Sequence, residues 1–227
     1  MFTTVEDVNI DWKTVNYLRR KIVNWNHVPL INFPWRSEKS KFHGLIAEVL
    51  LQRTRAEQVI PVYQKFIRVF PDALELSKAP ASKIRRLISP LGLSGRAAKL
   101  KSLGKCIKTN FNGTVPDNYR HLTELPGVGP YAASAFLSFH SGKKATIIDS
   151  NIIRFYSRFF GFRVYPDIRR NKFLIKLFER ITPDKNIKRF NYLLLDLSRS
   201  ICKPVPVCLI CPVSQRCIFY NKKGPNQ

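Results

Sequence analysis

The sequence predicts an all-α protein. Apolar residues recur at three- and four-residue spacing along most of the chain, convincing runs of alternating strand are absent, and neither a fixed-period repeat nor a low-complexity linker interrupts the pattern. Taken in order, Leu45, Val49 and Leu50, then Val59, Tyr63 and Phe66, mark one amphipathic stretch followed by a second. Residues 82–90 and 95–109 read as two further helices, with Leu91-Gly92-Leu93-Ser94-Gly95 as a stop and a restart between them. A helix ends near Leu125, and a helix of small residues runs from Ala132 to Phe139. Asp149 to Phe160, Asn171 to Thr182 and Phe190 to Cys202 continue the pattern.

A chain of 227 residues has ample length to bury a core, as one large domain or two small ones. Its 39 lysines and arginines face 15 acidic residues, a net charge of +24. That excess goes beyond the needs of solubility and implies a polyanionic partner, nucleic acid before any other. An anionic membrane surface fits less well, because the basic residues are spread along the chain rather than gathered beside an apolar anchor. No apolar stretch approaches the roughly 20 residues that a membrane helix requires. Met1 to Asp11 holds acidic residues and no apolar signal core, and Cys106 is the one cysteine outside a C-terminal group. The expectation is an intracellular protein, of cytoplasm or nucleoid, in a compartment that keeps thiols reduced.

Four cysteines crowd the C-terminal region as Cys202-x5-Cys208-x2-Cys211-x5-Cys217. The run has too little apolar sequence for a core of its own, and Pro204, Pro206 and Pro212 prevent one long helix. A segment of this kind needs an inorganic staple. A zinc site of four cysteines commonly shows two short pairs, whereas here only Cys208 and Cys211 form one. Closely spaced thiolates around one centre fit an iron–sulfur cluster better, so [4Fe–4S] ranks first, zinc second and two disulfides third.

The next readable segment is Leu125-Pro126-Gly127-Val128-Gly129-Pro130-Tyr131. Gly127 and Gly129 permit positive φ and close approach of the backbone to another molecule, with Val128 between them. The start of the following helix offers N–H groups to a phosphate oxygen. A plain turn between two helices is the simpler reading; the charge of the chain favours a nucleic-acid contact.

This segment resembles the helix–hairpin–helix motif of the base-excision DNA glycosylases related to endonuclease III. Ile147-Ile148-Asp149-Ser150-Asn151 resembles that family's catalytic aspartate segment, and Phe190-Asn191 with Asp196 and Cys202 resembles its lead-in to the cluster. The likeness covers roughly residues 30 to 220, with all three motifs in the family's order. One departure stands out: five residues separate Cys202 from Cys208, one fewer than usual, which keeps zinc or a weakly held cluster open. The resemblance implies two helical lobes with a DNA cleft between them. One is a helical barrel over 38–148; the other, 1–37 plus 149–227, carries the cluster.

It also implies roles. Asp149 would face the oxocarbenium-like charge that develops when an N-glycosidic bond breaks, although without the family match it reads as a helix N-cap. Tyr131 stands where bifunctional members carry a Schiff-base lysine, which implies a monofunctional enzyme. Lys143 and Lys144 are nearby amines that leave weak lyase activity open. Glu48, a carboxylate in an apolar helical run, resembles the glutamate that contacts the flipped base. In the same run lie Gln52, expected at the DNA, and Arg53, expected to enter the gap left by the extruded base; Leu93 would face the opposite strand.

Tyr131, Arg53 and Phe33-Pro34-Trp35-Arg36 resemble the G/T-mismatch thymine glycosylases, so the expected substrate is thymine or uracil opposite guanine. Adenine excision opposite guanine or oxidised guanine is the alternative. With ten residues after Cys217, the chain is expected to lack the further domain that adenine glycosylases use to read oxidised guanine. A non-enzymatic DNA-binding scaffold is the remaining reading, against which Asp149 and Glu48 together speak. The partner is mismatched double-stranded DNA, with no membrane, and the protein a monomer.

Overall fold

The computed structural model describes residues 3–8, 10–25, 32–92 and 94–223. Its chain divides into two compact units, one of residues 1–31 with 144–227 and one of residues 32–143. Among the described residues the structure is helical, and the sole β feature is a parallel bridge between Thr3 and Phe162. Among the described residues no helix is long and apolar enough to cross a membrane.

The first unit opens with α1 (Trp12–Val23), capped by the Asp11 carboxylate, which accepts from the N–H groups of Lys13 and Thr14. Its stripe of Val15, Leu18 and Ile22 is buried.

The second unit then runs through seven described helices. They are α2 (Lys41–Leu50), α3 (Ala56–Val69), α4 (Ala73–Lys78), α5 (Ala81–Ile88), α6 (Ala97–Asn110), α7 (Tyr119–Glu124) and α8 (Pro130–His140). Helix α2 is apolar nearly all round and buries every residue from Gly44 to Leu50, as a helix at the centre of a core must. Ser40 caps it, accepting from the His43 N–H. Helix α8 is equally apolar, with Ala132, Ala133, Ala135 and Phe136 buried; its small residues let α2 and α8 pack closely.

The chain returns to the first unit with α9 (Ser150–Phe160), α10 (Lys172–Ile181), α11 (Ile187–Asp196) and α12 (Ile218–Lys223). Its core is aromatic: Tyr156 meets Phe178 edge-on at 4.5 Å, and Phe159, Phe162 and Phe190 are fully buried. Arg19 of α1 donates to the carbonyls of Arg180, Ile181 and Thr182, satisfying the open end of α10. A π-turn, Leu197–Ile201, follows α11 and delivers the chain to Cys202.

Helices α1, α4 and α12 add to those expected from the sequence, and α7 is the helix expected to end near Leu125. Boundaries differ in both directions: α8 extends the expected helix by two residues at its start and one at its end, whereas α10 is one residue shorter at each end and α6 begins two residues later.

Candidate active site and metal centre

The hairpin between α7 and α8 turns where Leu125 closes on the Val128 N–H at 3.0 Å. Gly127 lies at φ 84°, in the left-handed region that favours glycine. Gly129 differs from expectation: at φ −89° and ψ 177° it is ordinary extended backbone that any residue adopts, and it serves as the N-cap of α8. Val128 is buried beneath the turn. Gln52, just past α2, donates from Nε2 to the Gly127 carbonyl at 2.9 Å and so fixes the hairpin from behind.

A cavity opens beside this turn, lined by Gln52, Arg96, Lys99, Thr123 and the backbone from Leu125 to Gly129. Arg96 donates to the Val49 carbonyl at 3.2 Å, and burial, then the charge of Arg53, lowers its guanidinium from its ordinary pKa. Arg53, Arg96 and Lys99 thus concentrate positive charge near the start of α8, a setting for phosphate. Arg96 and Lys99 escaped the sequence reading because only the fold brings α6 to the hairpin. Gly127→Val should weaken binding to every duplex alike, and wild-type affinity should fall steeply with salt as counterions are released. Fluorescence anisotropy across a salt series checks both.

Arg53 is exposed and itself sits at φ 60°, a conformation costing a non-glycine residue of order 1 kcal/mol. Leu93 lies outside the described residues. Tyr131 is the second residue of α8 and half-buried. Glu48 is 3% exposed on α2, and its Oε1 lies 3.3 Å from Nε2 of His140, at the end of α8. Of the two lysines near the hairpin in sequence, Lys143 pairs with Asp117 at 3.2 Å and Lys144 with Asp184 at 2.7 Å. Each lysine holds its partner carboxyl below the ordinary range.

Asp149 is the N-cap of α9. Its Oδ1 accepts from the Ile152 N–H at 2.7 Å, and its Oδ2 accepts from Asn151 Nδ2 at 3.2 Å. A chain of hydrogen bonds continues from there. Arg154 Nη2 donates to Asn151 Oδ1 and to the Ser198 carbonyl, both at 2.9 Å, and Arg154 Nε donates to the Cys202 carbonyl at 2.9 Å. One guanidinium therefore ties the aspartate's neighbour to the first cysteine, a link that residue spacing did not announce.

Cys202, Cys208, Cys211 and Cys217 all line one cavity of the first unit, with Arg158, Phe219 and Tyr220 around it. None is in a disulfide. Arg158 lies over the Phe219 ring and directs Nη1 at Cys202 Sγ from 3.5 Å. Backbone N–H groups of Val213, and of Phe219 and Tyr220, serve the sulfurs of Cys211 and Cys217. Burial pushes the thiols of Cys208 and Cys217 up, and that of Cys211 up to about 12. Four thiols converging on one space, with N–H donors aimed at the sulfurs, fit a group bound by thiolates; its positive charge would have to displace their protons. Among the described residues no three of His, Cys, Asp and Glu are gathered to hold a single metal ion.

The helical fold with this hairpin defines a class of DNA-repair proteins. The chain belongs to the HhH-GPD superfamily of base excision DNA repair proteins, whose family profile matches residues 46–180. It is 37% identical to the thymine/uracil-DNA glycosylase of Methanothermobacter thermautotrophicus, over 84% of this chain and 87% of that protein. It is also 37% identical to an adenine DNA glycosylase of Buchnera aphidicola, over 88% of this chain but 57% of that protein's length. The solved structure of a thermostable thymine-DNA glycosylase superimposes with a TM-score of 0.85 at 34% identity, covering 92% of this chain and 98% of that one. The resemblance read from the sequence is borne out.

Proposed function

We propose that this protein is a monofunctional DNA glycosylase that removes thymine or uracil opposite guanine from duplex DNA. The match to the thymine-DNA glycosylase structure over nearly the whole of both chains carries this choice of base. In this reading the hairpin and the Arg96–Lys99 face hold the phosphate backbone, and Arg53 and Leu93 fill the stack as the base leaves it. Glu48 contacts the extruded base. As the C1′–N1 bond breaks, its electron pair leaves with the base, and the Asp149 carboxylate stabilises the charge left on the sugar. Water then bonds to C1′ and gives up a proton, producing an intact abasic strand.

Tyr131 has no amine to form a Schiff base, and the carboxylates of Asp117 and Asp184 occupy Lys143 and Lys144. Tyr131→Lys should therefore create strand cleavage and borohydride-trappable enzyme–DNA adducts that the wild type lacks. Denaturing gels with and without borohydride read this directly.

The four cysteines would hold a [4Fe–4S] cluster, a structural group that ties the C-terminal loop together. Zinc is the second candidate, and the cysteine spacing, with Cys208 and Cys211 as its one short pair, is what favours the cluster.

Duplexes with G·T, G·U, A·G and A·oxidised-G pairs test the substrate assignment. Free thymine or uracil should appear from the first two, with scission only after alkali. The resemblance to adenine DNA glycosylases gives the second reading, and adenine release with no action on G·T would establish it. Binding without release of any base would leave the scaffold reading.

A further inference from the structure

Glu48 and His140 lie 92 residues apart in sequence and form a buried pair, their side chains 4% and 1% exposed. Among the described residues, His140 is the carboxylate's one polar partner. The rings of Phe136 and Phe139 flank the imidazole, excluding water that could otherwise compete for the hydrogen bond.

The room for this imidazole comes from Gly44, one turn before Glu48 on α2. A Cβ at position 44 would stand 2.4 Å from Cγ and 2.5 Å from Nδ1 of His140, closer than atoms approach without displacement. The ring therefore sits where any other residue would put its side chain. Among the described residues Nδ1 is buried with no hydrogen-bond partner. A neutral imidazole carries one N–H, and an orphaned buried donor is rarer than an orphaned acceptor. The proton is accordingly assigned to Nε2, where it faces Glu48 Oε1.

We propose that His140, seated in the space left by Gly44, is a positioning residue for base excision: its Nε2–H holds Oε1 of Glu48 and leaves Oε2 for the extruded base. A buried carboxylate without a donor would be costly and could turn to other partners; one fixed oxygen sets the direction of the other. The proposal rests on Glu48 acting at the base, as set out above.

The test is a double-mutant cycle with single-turnover excision on a G·U duplex. His140→Phe keeps a ring but removes both nitrogens, and should lower the rate about 10–100-fold, as loss of an orienting partner typically does, with duplex affinity within about twofold. His140→Gln, which can still donate, should recover most of the rate. In a Glu48→Ala background, His140→Phe should cost nothing more, because its effect passes through the carboxylate. An unchanged rate in His140→Phe, or a loss that persists undiminished without Glu48, overturns the proposal. Full activity of Glu48→Ala instead overturns the role of Glu48 itself, which keeps the two failures apart. Should His140→Phe not fold, nitrogen-15 spectra of the wild-type imidazole still decide: a protonated Nε2 whose signal moves on Glu48→Gln supports the pair, and a proton on Nδ1 alone refutes it.

Discussion

Asp149→Asn should lower single-turnover excision by about 10²–10³-fold or more while leaving the fold and DNA affinity close to wild type. The substitution separates two jobs that one side chain performs. As N-cap of α9, Asp149 accepts from the Ile152 N–H, and asparagine caps helices about as well as aspartate. What asparagine lacks is the charge that would meet the oxocarbenium-like sugar. Asp149→Ala removes both functions and should add a stability loss of about 1 kcal/mol to the same catalytic defect. Rapid-quench assays with melting curves for both variants make the comparison. Full excision by Asp149→Asn would show that the carboxylate's role is capping alone and end the proposed mechanism.

Cys211→Ser should prevent recovery of folded protein before any effect on chemistry can be measured. Wild-type protein should be brown, with the broad visible absorbance of an iron–sulfur cluster, and the variant should lose colour together with yield. The physical reason lies in how little else holds residues 202–217: Val205, Leu209 and Ile210 are exposed, and Val213 is the fully buried residue of the loop. Release of this loop also frees α12, whose Ile218 packs against Gly161 at the end of α9. Colourless, well-folded wild-type protein with about one zinc per chain would assign the site to zinc instead. A Cys211→Ser variant recovered in normal yield would count against a structural metal altogether.

Local chemistry made part of this molecule legible. The Leu125–Gly129 turn, the Asp149 segment and the cysteine spacing are each written in a few neighbouring residues, as is the stripe of the long helices other than α1. Short helices such as α4 and α12, with six residues each, carry too few turns for periodicity to show. Gly129 illustrates a different limit: the residue type permits positive φ, but the start of α8 asks for extended backbone there. Least legible were contacts between distant segments. Arg96 beside the hairpin, Arg154 between Asn151 and Cys202, and His140 against Glu48 all depend on helices that meet only after folding, and no local pattern marks them.

The unit built from both chain ends has a consequence for biosynthesis. Helix α1 leaves the ribosome well before its partners, for Arg19 finds its acceptor at Ile181, 162 residues later. Residues 32–143 form an uninterrupted stretch and can collapse as soon as they emerge. Until α10 and α11 arrive, the apolar stripe of Val15, Leu18 and Ile22 has no core to join. Nascent chains stalled only after residue 143 has cleared the exit tunnel, but before α10 and α11 are made, should therefore protect the central helices from protease while α1 is still cut. Protection of that N-terminal stretch should come only after α11 is made, with the cysteines following last of all.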